Sequence, residues 1–305
     1  MEERLEQLLD DCRQYTSEGK LAEYIPELAK MDKNQIGIYM IDNNGKEYMA
    51  GDYDKKFTIQ SICKVILLMM ALIDNGEEYV RKYIGVEATG KPFNAIDYSE
   101  EQKLTEHINP MVNIGAIAVC SMIKGKDYKE KFERILEFTR KLSNNSNIQA
   151  NEDVYLSEKR TGSKNRALAY LLKSYEIIND DVEELLDTYF KACSIEVSCQ
   201  DLANIGFVLA NHGSKGIAKE KIIPSQYTRF VNAILMTCGM YDGAGDFAIR
   251  VGMPAKSGVG GGIMAVSPRR FGIGIYSPGL DQKGNSYAGI RLLENISNEL
   301  YLSIF

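Results

Sequence analysis

Ser61 and Lys64 are three residues apart at the start of the apolar segment "SICKVILLMMALI", where Lys64 is the only charged residue. Residues three apart share one face of a helix, so the spacing predicts that the lysine amine reaches the serine hydroxyl. The apolar neighbours disfavour a charged ammonium and lower its pKa. A neutral lysine can take the proton of a serine hydroxyl. The pattern therefore predicts Ser61 as a nucleophile and Lys64 as its general base.

A second motif, "PAKSGVGGG", supports this interpretation, because S-x-x-K alone is frequent by chance. It places Lys256, Ser257 and Gly258 on a predicted strand that glycines follow. A phosphate-binding P-loop has its lysine after the glycines and before a helix, so this order does not favour phosphate binding. Backbone N–H groups on such a strand can instead face an oxyanion. An S-x-x-K serine with a later K-[ST]-G strand is the motif pair of penicillin-recognising serine hydrolases.

Apolar spacing predicts the elements that position these motifs. Residues 35–52 form a predicted hairpin with an Asn-Asn-Gly turn. The predicted helices cover residues 2–16, 21–28, 61–74, 109–125, 127–143, 163–178, 181–193, 198–213, 225–239 and 286–304. In the helix at 109–125, Asn109 is the predicted N-cap and Pro110 the first helical residue. The predicted C-terminal strands cover residues 247–252, 254–259, 262–268 and 270–278.

Strands at both ends with helices between them predict an α/β (α+β) fold. The hairpin and the C-terminal strands would share one antiparallel sheet, flanked by the N- and C-terminal helices. We expect residues 1–60 and 220–305 to form this sheet lobe and residues 61–219 to form an inserted helical lobe. The cleft between the two lobes is the natural place for a site.

The composition favours a small-molecule substrate. The chain has 305 residues, of which 45% are hydrophobic, and a formal net charge of −6. This charge disfavours nucleic acid or an anionic membrane as the main partner. The first residues lack a basic segment followed by an apolar one, so we expect no secretory signal and a cytoplasmic location. The nine-residue run "VILLMMALI" is too short to span a bilayer and predicts a buried helix.

Cysteine and histidine contribute little to the predicted chemistry. The six cysteines form no C-x-x-C pair, and only two histidines could join them. We therefore expect free thiols in the core and no zinc site. His107 and His212 both lie beside helix-boundary signals, so a Ser/His/Asp triad has little support.

The chain resembles the serine-dependent glutaminases, which share the β-lactamase/transpeptidase-like fold. The similarity extends over residues 22–282. The stretches that carry it are "AEYIPELA", "FTIQSICKV", "PFNAI", "NPMVNIGAI", "NEDVYLSEKRTGSKNRALAYLL", "DTYFKACSIEV", "MYDGAGDFAIRVGMPAKSGVGGGI" and "FGIGIYSPGLD". One departure is Cys63 in "SICK", where we expect serine, and this thiol could make the site sensitive to thiol reagents.

The resemblance implies a hydrolase of linear amides that converts L-glutamine to L-glutamate and ammonia. The implied catalytic residues are Ser61, Lys64 and Tyr241. The implied substrate-binding residues are Ser61, Asn113, Glu158, Asn165, Tyr189, Tyr241, Val259, Tyr24 and Gln60. It implies no metal or organic cofactor, and self-association as a homodimer or homotetramer.

These roles also fit the chemistry of glutamine. Its ammonium needs a carboxylate, for which Glu158 is available, and its carboxylate needs donors such as Asn165 and tyrosine hydroxyls. The N–H groups of Ser61 and Val259 could bind the oxyanion, and Tyr241 could pass a proton to ammonia. We expect attack by Ser61 on the γ-carboxamide, a γ-glutamyl ester, and hydrolysis of that ester by water.

Simpler roles remain open for single residues. Asn113 could start a helix, Glu158 could be a solvated surface charge, and Tyr189 and Tyr241 could be core aromatics. Two other functions also remain open. One is a β-lactamase or peptidase, which the missing secretory signal disfavours. The other is a glutamine sensor without turnover, which the intact S-x-x-K motif disfavours.

Overall fold

Five antiparallel strands from both ends of the chain form the central sheet. The computed structural model describes residues 1–95, 108–216 and 220–305. The strand order is β2-β1-β9-β8-β7. The strands of this sheet are β1 (Gly37–Asp42), β2 (Glu47–Gly51), β7 (Ala255–Ser257), β8 (Gly262–Ser267) and β9 (Phe271–Tyr276). The prediction that the hairpin and the C-terminal strands share one sheet is therefore confirmed.

Helices and two short strand pairs make up most of the remaining described structure. The short pairs are β3 (Phe57–Thr58) with β4 (Glu196–Val197), and β5 (Ser214–Lys215) with β6 (Glu220–Lys221). The helices are α1 (Glu2–Arg13), α2 (Cys63–Asn75), α3 (Glu77–Tyr83), α4 (Asn113–Ser121), α5 (Tyr128–Ser143), α6 (Glu152–Thr161), α7 (Ser163–Ser174), α8 (Val182–Cys193), α9 (Cys199–Ala210), α10 (Ser225–Cys238), α11 (Ala244–Arg250) and α12 (Tyr287–Leu300).

The sheet is covered on both faces. On one face, α1 and α12 pack with strand residues such as Ile38 and Ile275 in one apolar cluster. On the other face, α9 packs with Tyr39 and Tyr276 in a second cluster that extends through the helical part of the chain. Successive strand residues point to opposite faces, so Ile38 and Tyr39 belong to different clusters.

Two glycines of β9 let α9 lie directly on the sheet. A Cβ added to Gly272 would lie 2.1 Å from the carbonyl oxygen of Ala203. One added to Gly274 would lie 2.0 Å from the carbonyl oxygen of Cys199. Because no side chain fits in these gaps, glycine is required for this helix-to-sheet distance.

Helix α2 is apolar on every side and is surrounded by protein. All residues from Cys63 to Leu72 are buried, and α4, α5 and α10 pack around them. A helix that is hydrophobic all round is expected in the interior of a large core. The predicted buried helix is confirmed. Among the described residues, no helix is long and apolar enough to cross a membrane.

The starts of two predicted helices are corrected. Ser61 belongs to a 3-10 turn, Gln60–Ile62, and α2 begins only at Cys63. Helix α4 begins at Asn113, with Val112 rather than Asn109 at its N-cap. The side chain of Asn109 instead accepts a hydrogen bond from the N–H of Met111 at 2.9 Å. Asparagine forms such local turns as readily as it caps helices, which explains the error.

The predicted strand at residues 247–252 is wrong, because most of this segment belongs to helix α11. Phe247 and Val251 are buried, whereas Ile249 is 87% exposed. Buried residues four apart with an exposed residue between them are typical of a helix. Apolar and polar residues alternate in "FAIRV", which indicates the two-residue period of a strand rather than the 3.6-residue period of a helix.

Other differences concern short elements. The predicted helix at 21–28 is absent, and the structure has only a 3-10 turn at Leu28–Lys30. Helices α3 and α6 were not predicted. Helix α6 had a readable start, since Asn151 precedes two acidic residues and caps the N–H of Val154. This is the usual pattern of a helix N-terminus.

The structure describes all six cysteines and one of the two histidines. All six cysteines are free and buried, as predicted. His107 lies outside the described residues. His212 adopts a left-handed conformation, φ 54°, directly after the turn that ends α9.

The close packing of α9 on β9 makes a prediction for stability. Gly274→Val should lower the midpoint of urea unfolding, because its side chain would force α9 away from the sheet, at a cost of roughly 1–3 kcal/mol. Gly245→Ala on α11 is the matched control, since a Cβ there meets nothing within 4 Å. An equal midpoint for Gly274→Val and the wild type would contradict the packing argument.

Candidate active site

Ser61 lies on a tight turn between β3 and α2. The preceding residue, Gln60, has a positive φ of 50°. This conformation is unfavourable for a residue with a side chain, and it is often found where a structure holds a functional group in place. Ser61 keeps 8% of its surface exposed. The turn thus presents the serine at the start of a helix that is otherwise buried.

The glycine-rich segment after β7 packs against this turn. A Cβ on Gly258 would lie 2.8 Å from the carbonyl oxygen of Ile59, and one on Gly260 would lie 2.8 Å from that of Thr58. Val259 lies between these glycines. Within the described part of the chain, neither the N–H of Ser61 nor that of Val259 donates a hydrogen bond to the protein. The two motifs identified in the sequence therefore meet, and both bring an unused backbone donor.

Lys64 is completely buried and bonded to two acceptors. Its Nζ donates to the carbonyl oxygen of Met111 at 3.0 Å and to Oδ1 of Asn113 at 2.7 Å. Burial is the main cause that lowers the pKa of its ammonium to about 8. The predicted contact with the Ser61 hydroxyl is not among the hydrogen bonds of the described residues. The 3-10 turn that holds Ser61 continues directly into α2, so Ser61 and Lys64 keep the same-face spacing without sharing a hydrogen bond.

Asn113 and Asn165 extend this hydrogen-bond chain. Nδ2 of Asn113 donates to Oδ1 of Asn165 at 2.9 Å. Asn113 is the first residue of α4, and Asn165 lies in the first turn of α7. The chain from Lys64 through both asparagines therefore connects three helices. Because the Asn113 amide is bonded at both ends, its orientation is fixed.

Glu158 lies on α6 near its junction with α7. A Cβ on Gly162, between the two helices, would lie 2.5 Å from the ring of Phe190. This close junction holds Glu158 and Asn165 on opposite sides of one short turn. Oε1 of Glu158 is buried and has no hydrogen-bond partner in the described structure. Burial raises the pKa of this carboxyl group to about 7, although the nearby Gln60 side chain opposes the shift. The simpler role of a solvated surface charge does not fit this burial.

Three tyrosines surround the serine. Tyr241 has a positive φ of 50°, and its buried hydroxyl has no hydrogen bond of normal geometry to the described residues. Burial raises the pKa of this hydroxyl, while the nearby Ser61 side chain lowers it. Tyr189 is buried, and burial raises its pKa too. Tyr24 is 55% exposed as a residue, yet burial of its hydroxyl end raises its pKa, with Tyr241 and Glu158 nearby.

Lys256 of the second motif is also buried. Its Nζ donates to the carbonyl oxygen of Ser257 at 2.7 Å and lies 4.3 Å from the ring centre of Tyr241. Burial and the neighbouring Lys64 hold the pKa of this ammonium well below its usual range. The Lys256 side chain therefore packs against the ring of Tyr241.

One cavity of about 300 Å³ collects most of the predicted site residues. Those that line it are Tyr24, Gln60, Ser61, Asn113, Glu158, Asn165, Tyr189 and Val259. Lys64 lies behind the wall of this cavity. Tyr241 lines a second cavity, also of about 300 Å³, and Phe93 lines both. The ring centres of Phe93 and Tyr241 are 4.7 Å apart. Phe93 therefore lines both cavities and packs against Tyr241 in the second one.

Half of the residues that line this cavity were not identified as site residues from the sequence. Among them are Phe93, Lys164 and Cys193. Phe93 and Lys164 lie inside the stretches "PFNAI" and "SKN" that carried the resemblance, so their position was a usable signal. Cys193 also lies inside such a stretch, "DTYFKACSIEV", but its residue type indicated no role, because a buried cysteine is common in any core.

The arrangement has the components for acyl transfer. One cavity combines an accessible serine hydroxyl, two unused N–H donors and a buried carboxyl group, and a lysine with a depressed pKa lies behind its wall. Across the described ranges, no cluster of three histidine, cysteine or acidic residues could hold a metal ion.

Comparison with known proteins agrees with this chemistry. A sequence model of the family Glutaminase matches residues 19–305. The chain is 54% identical over 305 residues to a glutaminase of Clostridium botulinum (strain Loch Maree / Type A3), covering all of both chains. It is 55% identical to glutaminase 2 of Clostridium perfringens, again over the full length of both.

Solved structures show the same similarity. The covalent complex of a Bacillus subtilis glutaminase with 5-oxo-L-norleucine, formed by reaction with 6-diazo-5-oxo-L-norleucine, superposes with a TM-score of 0.90. The two chains are 37% identical, and the match covers 100% of this chain and 99% of the other. The predicted fold class is thereby confirmed. The chain belongs to the glutaminase family and is a hydrolase of linear amides.

Proposed function

We propose that the protein hydrolyses the side-chain amide of L-glutamine through a γ-glutamyl ester of Ser61. The observation that carries this proposal is the unpartnered Oε1 of Glu158, which is buried in the cavity that Ser61 lines. A buried carboxylate oxygen without a partner is costly unless a ligand compensates it. The α-ammonium of glutamine supplies that compensation. The size of the cavity, about 300 Å³, also suits a small amino acid.

The amino-acid end binds between α6 and α7. Glu158 accepts the ammonium, and burial then strengthens the ion pair. The α-carboxylate meets the N-terminus of α7, where Lys164 and Asn165 line the cavity. The N–H groups of a helix N-terminus favour an anion. The two charged groups on the α-carbon are thus both held, and this places the γ-amide over Ser61.

Lys64 acts as the base that activates Ser61. A neutral amine has two hydrogens and one lone pair, whereas an ammonium has three hydrogens. Its two hydrogen bonds, to Met111 and Asn113, use both hydrogens of the neutral form. The lone pair is then left for the proton of the serine hydroxyl. With a pKa of about 8, an appreciable fraction of the amine is neutral near pH 7.

The remaining groups stabilise charge and move protons. The free N–H groups of Ser61 and Val259 bind the oxyanion of the tetrahedral intermediate. Tyr241 keeps its proton because burial raises its pKa, so its hydroxyl can donate to the departing ammonia. Water then hydrolyses the ester. This path uses no metal and no organic cofactor.

A related enzyme supports the covalent step. The Bacillus subtilis glutaminase forms a covalent complex with 5-oxo-L-norleucine. The reagent keeps the amino-acid end of glutamine but carries a reactive carbon near the position of the amide. Its capture indicates a protein nucleophile at that point of the site in the relative. We assign the same role here to Ser61, in the cleft between the proposed lobes. Cytoplasmic location and a homodimer or homotetramer stay predictions.

Removal of the nucleophile should abolish turnover. Ser61→Ala should release ammonia from glutamine about 10³-fold more slowly or worse, because no ester can form. It should also fail to gain mass with 6-diazo-5-oxo-L-norleucine. Ser174→Ala, at an exposed position on α7, should keep both properties. Labelling of Ser61→Ala at the wild-type rate would assign the nucleophile to another residue.

Glu158 should control binding of the amino-acid end. Glu158→Gln removes the charge with little change of shape, so KM for glutamine should rise roughly 100-fold, as for a lost buried ion pair. Glu152→Gln, exposed on the same helix, is the control and should leave KM unchanged. Steady-state ammonia assays give both values. An unchanged KM in Glu158→Gln would place the ammonium elsewhere.

The pH profile should report the two shifted groups. The value of kcat/KM should rise as pH increases through about 7, where Glu158 becomes charged, and through about 8, where Lys64 becomes neutral. Both changes favour the reactive form, so activity should fall on the acid side. In Glu158→Gln only the transition near pH 8 should remain. Loss of that transition in Glu158→Gln, with the one near 7 retained, would contradict the assignment.

A further inference from the structure

Two buried thiols lie directly beneath the candidate site. The Sγ atoms of Cys63 and Cys193 are 3.7 Å apart. Cys63 is the first residue of α2, between Ser61 and Lys64, and Cys193 is the last residue of α8. No step of the proposed reaction uses either thiol.

The two thiols differ in their access to small molecules. Cys63 is fully buried, whereas Cys193 is 5% exposed and lines the substrate cavity. A small reagent that enters this cavity therefore reaches Cys193 first and finds Cys63 behind it. The remaining four cysteines lie outside the residues that line this cavity.

We propose that Cys63 and Cys193 form an oxidation-sensitive pair, which hydrogen peroxide entering the substrate cavity converts into a disulfide that stops catalysis. The disulfide itself depends only on the geometry of the pair. Its effect on activity rests on the proposed function.

The reaction balances in two steps. Sulfur of Cys193 attacks one oxygen of the peroxide, the O–O bond breaks, and the products are a sulfenic acid and water. The sulfur of Cys63 then attacks the sulfenic sulfur, a second water leaves, and the S–S bond forms. Two thiols are oxidised and one peroxide is reduced to two waters.

The surroundings limit the reactivity of this pair. The hydrogen bond with Cys63 and burial raise the pKa of the Cys193 thiol well above its usual value, while Lys64 opposes that shift. The thiolate is the reactive species, so the reaction is slow compared with that of an exposed, acidic thiol. A small oxidant such as hydrogen peroxide is favoured, because only 5% of the Cys193 surface is exposed.

Closure of the bond would disturb the catalytic turn. A disulfide has an S–S length of about 2.05 Å, so the sulfurs must approach each other by more than 1 Å. Ser61 lies two residues before Cys63, in the 3-10 turn that leads into α2, and Lys64 follows Cys63 directly. A displacement of about 1 Å in reacting groups can reduce the rate roughly 100-fold.

The test compares oxidised and reduced protein. Wild-type protein is treated with hydrogen peroxide, and proteolysis under non-reducing conditions is followed by mass spectrometry. We expect a cross-linked peptide that contains Cys63 and Cys193 and is lighter by two hydrogens than its two reduced parts. Glutaminase activity should fall at least tenfold in parallel and return after dithiothreitol.

Variants separate the pair from other oxidation. Cys63→Ser should keep at least half of its activity under the dose that inactivates the wild type, because its resolving thiol is absent. Cys120→Ser, which removes another buried thiol on α4, should remain as sensitive as the wild type. Circular dichroism before treatment shows whether each variant is folded.

Absence of the cross-linked peptide from oxidised wild-type protein would overturn the proposal, whatever the variants do. Reversible inactivation of Cys63→Ser at the wild-type rate would overturn it too. The mass measurement requires no turnover. A protein that forms the cross-link but never releases ammonia would therefore contradict the proposed function while leaving the disulfide site intact.

Discussion

The site depends on a lysine amine that is held out of water between two acceptors. Burial of Lys64 would be costly for a charged ammonium, and this cost lowers its pKa. The carbonyl oxygen of Met111 and the amide of Asn113 accept its hydrogens. Each acceptor is itself fixed, because Asn109 holds the turn before Met111 and Asn165 holds Asn113. The buried core around α2 therefore sets the chemistry of the amine as well as the stability of the fold.

Backbone strain and close packing position the groups around this amine. Gln60, which precedes the proposed nucleophile Ser61, and Tyr241, the proposed proton donor, both have positive φ values. The glycines on either side of Val259 allow its segment to touch the serine turn. Gly162 allows α6 and α7 to meet so closely that Glu158 and Asn165 serve one cavity. Unfavourable local conformations thus persist because tertiary packing determines them.

Local patterns in the sequence predicted much of this architecture. The hairpin before Ser61, the buried α2 and most long helices followed from spacing and turn residues. The strand predicted at "FAIRV" was wrong because alternating apolar residues also fit a helix with one exposed side. Only the position of α11 on the protein decides between strand and helix. The N-cap predicted at Asn109 was wrong because the side chain of Asn109 forms a local turn with Met111 instead.

The candidate site was harder to predict from the sequence than the fold was. Ser61 and Lys64 were visible as a motif, and the family resemblance supplied the other positions. The acceptors of Lys64 could not be predicted, since Met111 and Asn113 lie nearly fifty residues away and one acceptor is a backbone carbonyl, which has no sequence signature. The sequence also could not show that Oε1 of Glu158 is buried without a hydrogen-bond partner among the described residues. This state depends on helices that meet only in the folded protein.

The protonation state of Lys64 tests this account most directly. Protein labelled with ¹³C at the lysine Cε carbon can be titrated by NMR, with Lys64→Arg used to assign the resonance. The account predicts that the assigned resonance titrates near pH 8. A resonance that remains that of an ammonium above pH 10 would contradict it, because Lys64 would then have no lone pair for the serine proton.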